Sequence, residues 1–488
     1  MSQKAAFLVI DIGTGNVRVA LTSTTAEVIA LERDNVQYHH DPVYADALYF
    51  DPEHLWSQIQ TMCKRIIKAN NGLTVTAITA SSQREGIVLV DETGQPVIGM
   101  PNHDHRGREW EHIIKDADRV YTLTGRYPSS LFSAMKLVGV REKHPDLFAR
   151  TAGMMSISDW AQYQFSGIQS YEHSQASETL LFDVKEMQWS DELLNVFSLY
   201  KSLLPPLRQS GTILGHILPH LAEELGISKD AKVIVGGADT QLAVKSTKPE
   251  HRDIVLVSGT TTPIVKIVDE YIVDPKQRSW TNRHTDKDAF ILETNAGVTG
   301  LNLQRLKEIF YPNEGYDVMQ KELDAEPGFQ VTASLGSLVA EEKRPITRAG
   351  FHFAVPVSHA LTRASFIKAA IWDIACSIYE DIECLNDISP DESDAMWICG
   401  GGFQSTVLRQ FIADLTGKKL KFRKGFEQAS VVGGALICSE TMQVNTSADT
   451  DDVTVVDPVS NPDLQQAYHA WKKNRSLFKQ HQQQEVTA

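Results

Sequence analysis

The chain has 488 residues, with 62 Asp and Glu against 47 Lys and Arg and a formal net charge of −15. That length exceeds one ordinary core and points to two or three domains, of which two large ones fit best. No run of eighteen apolar residues occurs, which argues against a membrane protein, and the acidic balance argues against nucleic acid as a general partner, since such binders carry a basic face.

In chain order, MSQKAAFLVIDIG passes from a short polar start straight into a strand without a signal-peptide pattern, so a cytoplasmic protein is expected. Phe7 to Asp11 reads as a strand, Gly13-Thr14-Gly15 as a phosphate-sized turn, and Val17 to Thr22 as the next strand. Residues 52–69 and 131–143 place apolar side chains at helical spacing. Ser81 to Asp91 reads as a strand with Gln83, Arg84 and Glu85 at its start. A further apolar run, residues 232–237, leads into Ala238-Asp239-Thr240. Another, residues 253–257, leads into Ser258-Gly259-Thr260-Thr261 and then a strand over residues 263–268. The strand-turn-strand unit thus appears twice, near 7–22 and 253–268, which suggests a duplicated architecture. Helical patterns follow at 301–310, 365–385, 405–415 and 464–478. Residues 445–463 read as a loop, and the final HQQQEVTA reads as disordered. The five cysteines lack CxxC spacing and suggest neither a disulfide framework nor a zinc site. His39-His40 and His103-Asp104-His105 lack the further ligands a metal site needs.

Several of these segments carry residues suited to phosphoryl transfer, which needs polyphosphate held still, a cation to spread charge and a base on the attacking hydroxyl. In Asp11 to Arg18 the glycines let backbone approach phosphate oxygens, Thr14 offers a hydroxyl and Asp11 can hold magnesium through water; an ordinary hairpin with a polar turn is the bland alternative. The hydroxyls of Ser258 to Thr262 suit terminal phosphates. Asp239 follows a strand and can accept a proton while facing the metal, although a helix-capping Asp would look the same. Cys399 to Ser405 holds three consecutive glycines and is neither a Walker A loop nor a dinucleotide fingerprint.

These segments, namely Asp11-Ile12-Gly13-Thr14-Gly15, His173 to Asp183, Gly237-Ala238-Asp239, Ser258-Gly259-Thr260 and Gly400 to Leu420, resemble the FGGY carbohydrate kinases in order and spacing. The resemblance implies an α/β, two-lobed actin-like (ribonuclease H-like) ATPase fold with an interlobe cleft. It implies an N-terminal lobe over residues 1–244, with the sugar site, first phosphate turn and catalytic Asp, and a nucleotide-binding lobe over 245–488. It makes Asp239 the base, and Asp11 and Asp239 the holders of magnesium through water. ATP would lie against Gly13, Thr14, Gly15, Asn16, Arg18, Ser258, Gly259, Thr260, Thr261, Gly300, Gln304, Gly401, Gly402 and Ser405. In the long C-terminal helix, where many members carry a polar residue and a carboxylate, this chain has Ser365 and Trp372, read here as packing.

For the acceptor, Arg84 and Glu85 can clamp vicinal hydroxyls, one donating and one accepting, with Gln83, Asp104, Arg106, Asp239 and Gln241 completing the set. A surface ion pair is the silent alternative for both the Arg84-Glu85 and the Asp104-Arg106 groups. The string Arg84 to Leu89, with Asp104, Arg106 and Ile157 to Trp160, resembles autoinducer-2 kinases more than glycerol kinases. The expected reaction is transfer of the γ-phosphate of ATP to a small ketose or polyol, autoinducer-2-like or a pentulose such as xylulose. Glycerol or gluconate is the alternative within the family, and a homodimer is the assembly considered. A catalytically silent sugar or nucleotide sensor and an actin- or chaperone-type ATPase are the rivals outside it.

Overall fold

The computed structural model describes residues 4–342, 346–390, 393–444 and 453–486, the side chains of 481–486 excepted. The chain forms two compact units, one of Met1–Lys248, Val268–Ile291 and Gln428–Thr450, the other of Pro249–Ile267, Leu292–Glu427 and Asp451–Ala488. The first crossing thus falls at 248/249, near the 244/245 boundary expected from sequence, but two later segments return to the first unit. Among the described residues no helix is long and apolar enough to cross a membrane. All five cysteines are buried, and none of them forms a disulfide.

The first unit is built on a six-stranded sheet, in the order Ile213–His216, Lys232–Ala238, Leu73–Ser82, Lys4–Ile12, Asn16–Ser23, Val28–Asn35. The Lys4–Ile12 strand is apolar at nearly every position because it is buried on both faces. Leu8, Ile10 and Ile12 pack into one core cluster, while Phe7 and Val9 pack into the opposite one, as the two-residue period requires. The helix Pro52–Ala69 covers the first face with Leu55, Ile59, Met62, Cys63 and Ile66. Its start is set by Asp51, whose carboxylate accepts from Glu53 N at 2.9 Å and His54 N at 3.3 Å, and by Pro52 in the first turn. On the other face the helices Asp239–Ser246 and Ala429–Thr441 pack closely, because a Cβ on Gly433 would lie 1.9 Å from the Leu242 carbonyl oxygen.

The three central strands of this sheet run parallel, and Ile12, Ser82 and Ala238 share one register level at its carboxyl edge. Topology alone therefore delivers the turn after Asp11, the residues after Ser82 and Asp239 to the same place.

The second unit repeats the motif. Its sheet includes Phe290–Asn295, Pro263–Val268, Ile254–Val257, Ala395–Cys399, Lys419–Arg423 and Val453–Val456 in that order. Ile254–Val257 pairs antiparallel with Pro263–Val268 and parallel with Ala395–Cys399, just as Lys4–Ile12 pairs with Asn16–Ser23 and Leu73–Ser82. The duplication expected from the two strand-turn-strand units is present in the pairing. The long helix Arg363–Ile388 starts at a capping box between Thr362 and Ser365. Trp372 on it is buried, with ring centroids 4.7 Å from Phe329 and 5.0 Å from Phe411, so this part of the helix is packing.

Two sequence expectations are corrected here. Residues 453–456, read as loop, form a strand antiparallel to Lys419–Arg423; the 445–452 part of that expectation lies outside the described residues. The last helix runs Pro462–Val486, so most of the HQQQEVTA segment is helical rather than disordered.

Candidate active site

In the first unit the site begins at the turn after Asp11. Gly13 N donates to Asn16 O at 2.9 Å and closes the hairpin, leaving Gly15 exposed and Gly13, Thr14 and Asn16 partly so. One Asp11 oxygen, Oδ2, accepts from the Arg18 guanidinium and from Ser430 Oγ at 3.0 Å; Arg18 Nη1 donates in turn to Gln428 Oε1 at 2.9 Å. The other oxygen, Oδ1, is buried without a hydrogen-bond partner. A carboxylate oxygen left so has lone pairs free to accept from water, including water on a hydrated cation. No cluster of three or more His, Cys, Asp or Glu side chains able to hold a metal occurs among the described residues. A cation here would therefore take most of its ligands from water and phosphate, which is the habit of magnesium.

Gln83, Arg84 and Glu85 do not open a strand, as the sequence suggested. They form the turn between Leu73–Ser82 and Ile87–Val90, strands of two different sheets, and Glu85 carries φ of 60°, in the left-handed region costly for a side-chain-bearing residue. Gln83 binds this turn to the first one: its Nε2 reaches Tyr38 Oη at 3.2 Å and Gly13 O at 3.4 Å, its Oε1 accepts from Asn102 N at 2.9 Å, and Tyr38 Oη donates to Thr14 O at 2.6 Å. Arg84 and Glu85 are almost wholly buried, so they are not the surface ion pair of the bland reading. Burial pushes the Glu85 carboxyl up from its ordinary range, against the pull of Arg84, Arg126 and Lys136.

Asp239 is the first residue of the Asp239–Ser246 helix and remains partly exposed; Oδ1 accepts from Thr240 N at 2.7 Å. Desolvation by its surroundings raises its pKa to about 6, opposed by Arg84 and assisted by the negative charge of Asp11. Gln241 lies deeper, donating to Asn282 Oδ1 at 3.0 Å, with its own Oε1 buried and unpartnered.

Asp104 and Arg106 are also buried, and their bonds run to one another and to the neighbouring chain. Arg106 Nε donates to Asp104 Oδ2 at 2.9 Å, Arg106 Nη2 to Leu48 O at 3.0 Å, and Leu48 N to Asp104 Oδ1 at 2.8 Å. The Lys136 ammonium, which burial lowers to a pKa of about 8, donates to the carbonyls of Asn102, Asp104 and Leu131. These residues hold the 102–106 loop in place beside Gln83.

Sequence reasoning passed over the pair Arg126 and Glu178. Glu178 is fully buried, ion-paired to Arg126, and its Oε1 lies 3.7 Å from Arg84 Nη1; the Arg126 guanidinium also stacks 4.4 Å from the centre of the Trp280 ring. The available signal was the run His173 to Thr179, polar at six of seven positions yet free of the Gly and Pro that mark an exposed loop.

The second unit gathers the remaining predicted residues. Val257 and Cys399 are register partners on parallel strands, so the Ser258 turn and the triple-glycine loop leave the sheet side by side. Gly402 N donates to Ser258 O at 3.2 Å, Gly259 N to Thr261 O at 2.9 Å, and Leu301 N to Thr260 O at 3.3 Å. A Cβ on Gly300 would meet Gly259 O at 2.0 Å, which fixes the start of the Gly300–Phe310 helix against the turn. Gly259, Thr260 and Gly401 are exposed within this backbone cradle. Ser405 instead caps the Thr406–Thr416 helix, accepting from Leu408 N at 3.3 Å, and the Gln304 side chain, on an exposed face, donates to Glu308 at 3.1 Å.

The N-terminal domain model of the FGGY family of carbohydrate kinases matches residues 6–245, and the C-terminal domain model matches residues 316–442. YoaC of Bacillus subtilis (strain 168), a protein named provisionally as a sugar kinase, is 48% identical over 480 residues, 98% of each chain. The chain belongs to the FGGY family of carbohydrate kinases. It is thus a phosphotransferase, and the silent-sensor and protein-directed ATPase readings fall away. An autoinducer-2 kinase of Salmonella paratyphi A is 25% identical over 434 residues, 84% of this chain and 81% of that one. The crystal structure of Plasmodium falciparum glycerol kinase with ADP superposes with a TM-score of 0.84 at 16% identity, over 97% of this chain and 98% of the other, and shares its two-domain actin-like fold.

Among the shifted carboxyls of this FGGY kinase are Asp159 and Glu172, both fully buried. Burial raises Asp159 to about 7 and Glu172 to about 8, against the hydrogen bonds from Ser156 and Ser174. Folded-state values above the unfolded ones mean that the native chain binds more protons than the unfolded chain between roughly pH 4 and 8, so this contribution is complete below that window and is lost as pH rises through it. Asp159→Asn should therefore show a smaller fall in thermal midpoint than the wild type between pH 5 and pH 8. Parallel profiles from differential scanning calorimetry would refute the assignment.

Proposed function

We propose that this kinase transfers the γ-phosphate of ATP to a hydroxyl of a small ketose, autoinducer-2-like or a pentulose such as xylulose. The observation that carries the reading is the shared carboxyl edge of three parallel strands, which sets Asp11, the Gln83–Glu85 turn and Asp239 together. Asp239, partly exposed and with its pKa raised to about 6, takes the proton of the acceptor hydroxyl. Arg84 and Glu85 hold neighbouring hydroxyls, Gln83 ties their turn to the phosphate turn, and Gln241, Asp104 and Arg106 support the wall behind them. In the first unit the turn Gly13 to Asn16 with Arg18, and in the second unit the backbone around Ser258 to Thr261, Gly300, Gln304, Gly401, Gly402 and Ser405, are each read as nucleotide contacts. Magnesium, held through water by Asp11 and Asp239, would spread the charge of the terminal phosphates. The preference for an autoinducer-2-like or pentulose acceptor rests on the similarity to autoinducer-2 kinase. The kinase is read as a cytoplasmic protein.

The test is coupled ADP release with a panel of autoinducer-2, D-xylulose, gluconate and glycerol. The highest kcat/KM is expected for one of the first two; a tenfold preference for gluconate or glycerol, or no release with any of the four, overturns the reading. In the same assay Arg84→Ala should lower acceptor kcat/KM on the order of 10- to 100-fold, the scale of a lost buried hydrogen-bond partner, with little change in apparent ATP affinity. Equal losses for both substrates would assign Arg84 to folding.

A further inference from the structure

The buried run Glu172 to Glu178 touches both chemical elements of the first unit. The Glu172 carboxylate accepts from Ser174 N at 2.7 Å, Gln175 N at 3.0 Å and the Ser174 hydroxyl, and its own N donates to Asp159 Oδ2 at 3.1 Å. Ser174 Oγ, so oriented, accepts at 3.0 Å from the N–H of Ala238, the residue that immediately precedes Asp239. The hydroxyl gives its proton to Glu172 and its lone pair to Ala238, so its orientation is defined at both ends. One residue on, Gln175 Nε2 donates to Ser82 Oγ at 2.9 Å, Ser82 O at 3.2 Å and Ser158 Oγ at 3.2 Å. Ser82 is the last residue before Gln83-Arg84-Glu85, and at the far end of the run Glu178 faces Arg84. Ser174 and Gln175 are each about 1% exposed or less.

We propose that Ser174 and Gln175 are positioning residues for catalysis, Ser174 setting the start of the helix that carries Asp239 and Gln175 setting the turn that carries Arg84 and Glu85. The proposal rests on the reading of Asp239 as base and of that turn as the acceptor site. Because strands Leu73–Ser82 and Lys232–Ala238 are neighbours, the run acts as a bracket across their ends, holding the proton acceptor at a constant distance from the hydroxyls to be bound. Displacement of a reacting group by about 1 Å costs on the order of 100-fold in rate, so two adjacent residues control two separable kinetic constants.

The experiment combines steady-state kinetics on D-xylulose with hydrogen–deuterium exchange by mass spectrometry on the full chain. Ser174→Ala should speed exchange in the peptide spanning 232–240 and lower kcat by roughly 10- to 100-fold with acceptor KM within about twofold of wild type. Gln175→Met should instead speed exchange at 81–86 and raise acceptor KM by roughly tenfold, leaving the 232–240 peptide as in the wild type. Ser174→Thr, which keeps the hydroxyl, should return both readouts to within about threefold of wild type. The proposal is overturned if either variant alters both peptides alike, if neither alters any, if the Ala variant fails to fold, or if Thr is as impaired as Ala. Absence of wild-type turnover on D-xylulose counts against the acceptor reading alone, and the exchange pattern still decides this one.

Discussion

Asp239→Asn should lower kcat by roughly 100-fold or more, the scale of a lost general base, while leaving the thermal midpoint and the apparent ATP affinity close to wild type. The amide keeps the shape and can still accept from Thr240 N, so the helix start is preserved. The pH profile gives a second reading of the same group. With the carboxyl pushed up to about 6, kcat/KM of the wild type should fall as pH drops below that value, about tenfold per unit, because only the deprotonated form takes the hydroxyl proton. The Asn variant has no such limb. A variant with near wild-type kcat, or one that keeps the acid limb, removes Asp239 from the role of base.

Gly400→Ala should raise the KM for ATP by roughly 10-fold or more while acceptor KM stays within about twofold. Gly400 sits at φ 97° and ψ 159°, a region open almost only to glycine, and a Cβ there would lie 2.3 Å from Ser258 O and 2.9 Å from its carbonyl carbon. Relief of that contact has to move either the triple-glycine loop or the Ser258 turn, and both edge the same cradle. Gly417→Ala is the matched control: φ is 64° at the end of the Thr406–Thr416 helix, but nothing lies within 4 Å of the added carbon. Both variants carry backbone strain, and only the first carries the collision. If the two shift ATP affinity alike, the cradle assignment is lost and strain alone explains the effect.

What the sequence made legible was local. The Pro52–Ala69 helix was readable to the residue because its cap, its proline and its apolar stripe are all short-range signals. The two phosphate-sized turns stood out because an apolar strand meets glycine and hydroxyl residues abruptly at 13–15 and 258–261. Val453–Val456 was missed because its surroundings are Thr, Ser, Asp and Pro, and a strand at the sheet edge needs little apolar pattern. Arg84 and Glu85 were legible as a polar pair but not as a buried turn, since what buries them, including Arg126 and Glu178, is some 40 to 90 residues away in sequence. The same holds for Asp104 and Arg106, whose partner Leu48 lies in a stretch that carries no motif of its own.

The Asp11 carboxylate has a history set by the order of synthesis. Its partner Arg18 follows within 7 residues, but Ser430, whose hydroxyl donates to the same oxygen, comes 419 residues later, and Gln428 follows Arg18 by 410. At bacterial or eukaryotic elongation of about 5–20 residues per second, that interval is on the order of 20–80 s. During it the Lys4–Ile12 and Asn16–Ser23 strands can pair, yet the face of the sheet with Phe7 and Val9 stays incompletely covered, by the Asp239–Ser246 helix alone, until the Ala429–Thr441 helix is made. The turn after Asp11 is therefore made long before the helix that completes its hydrogen bonds, and during that interval a nascent chain carries part of an apolar face that the Ala429–Thr441 helix will cover.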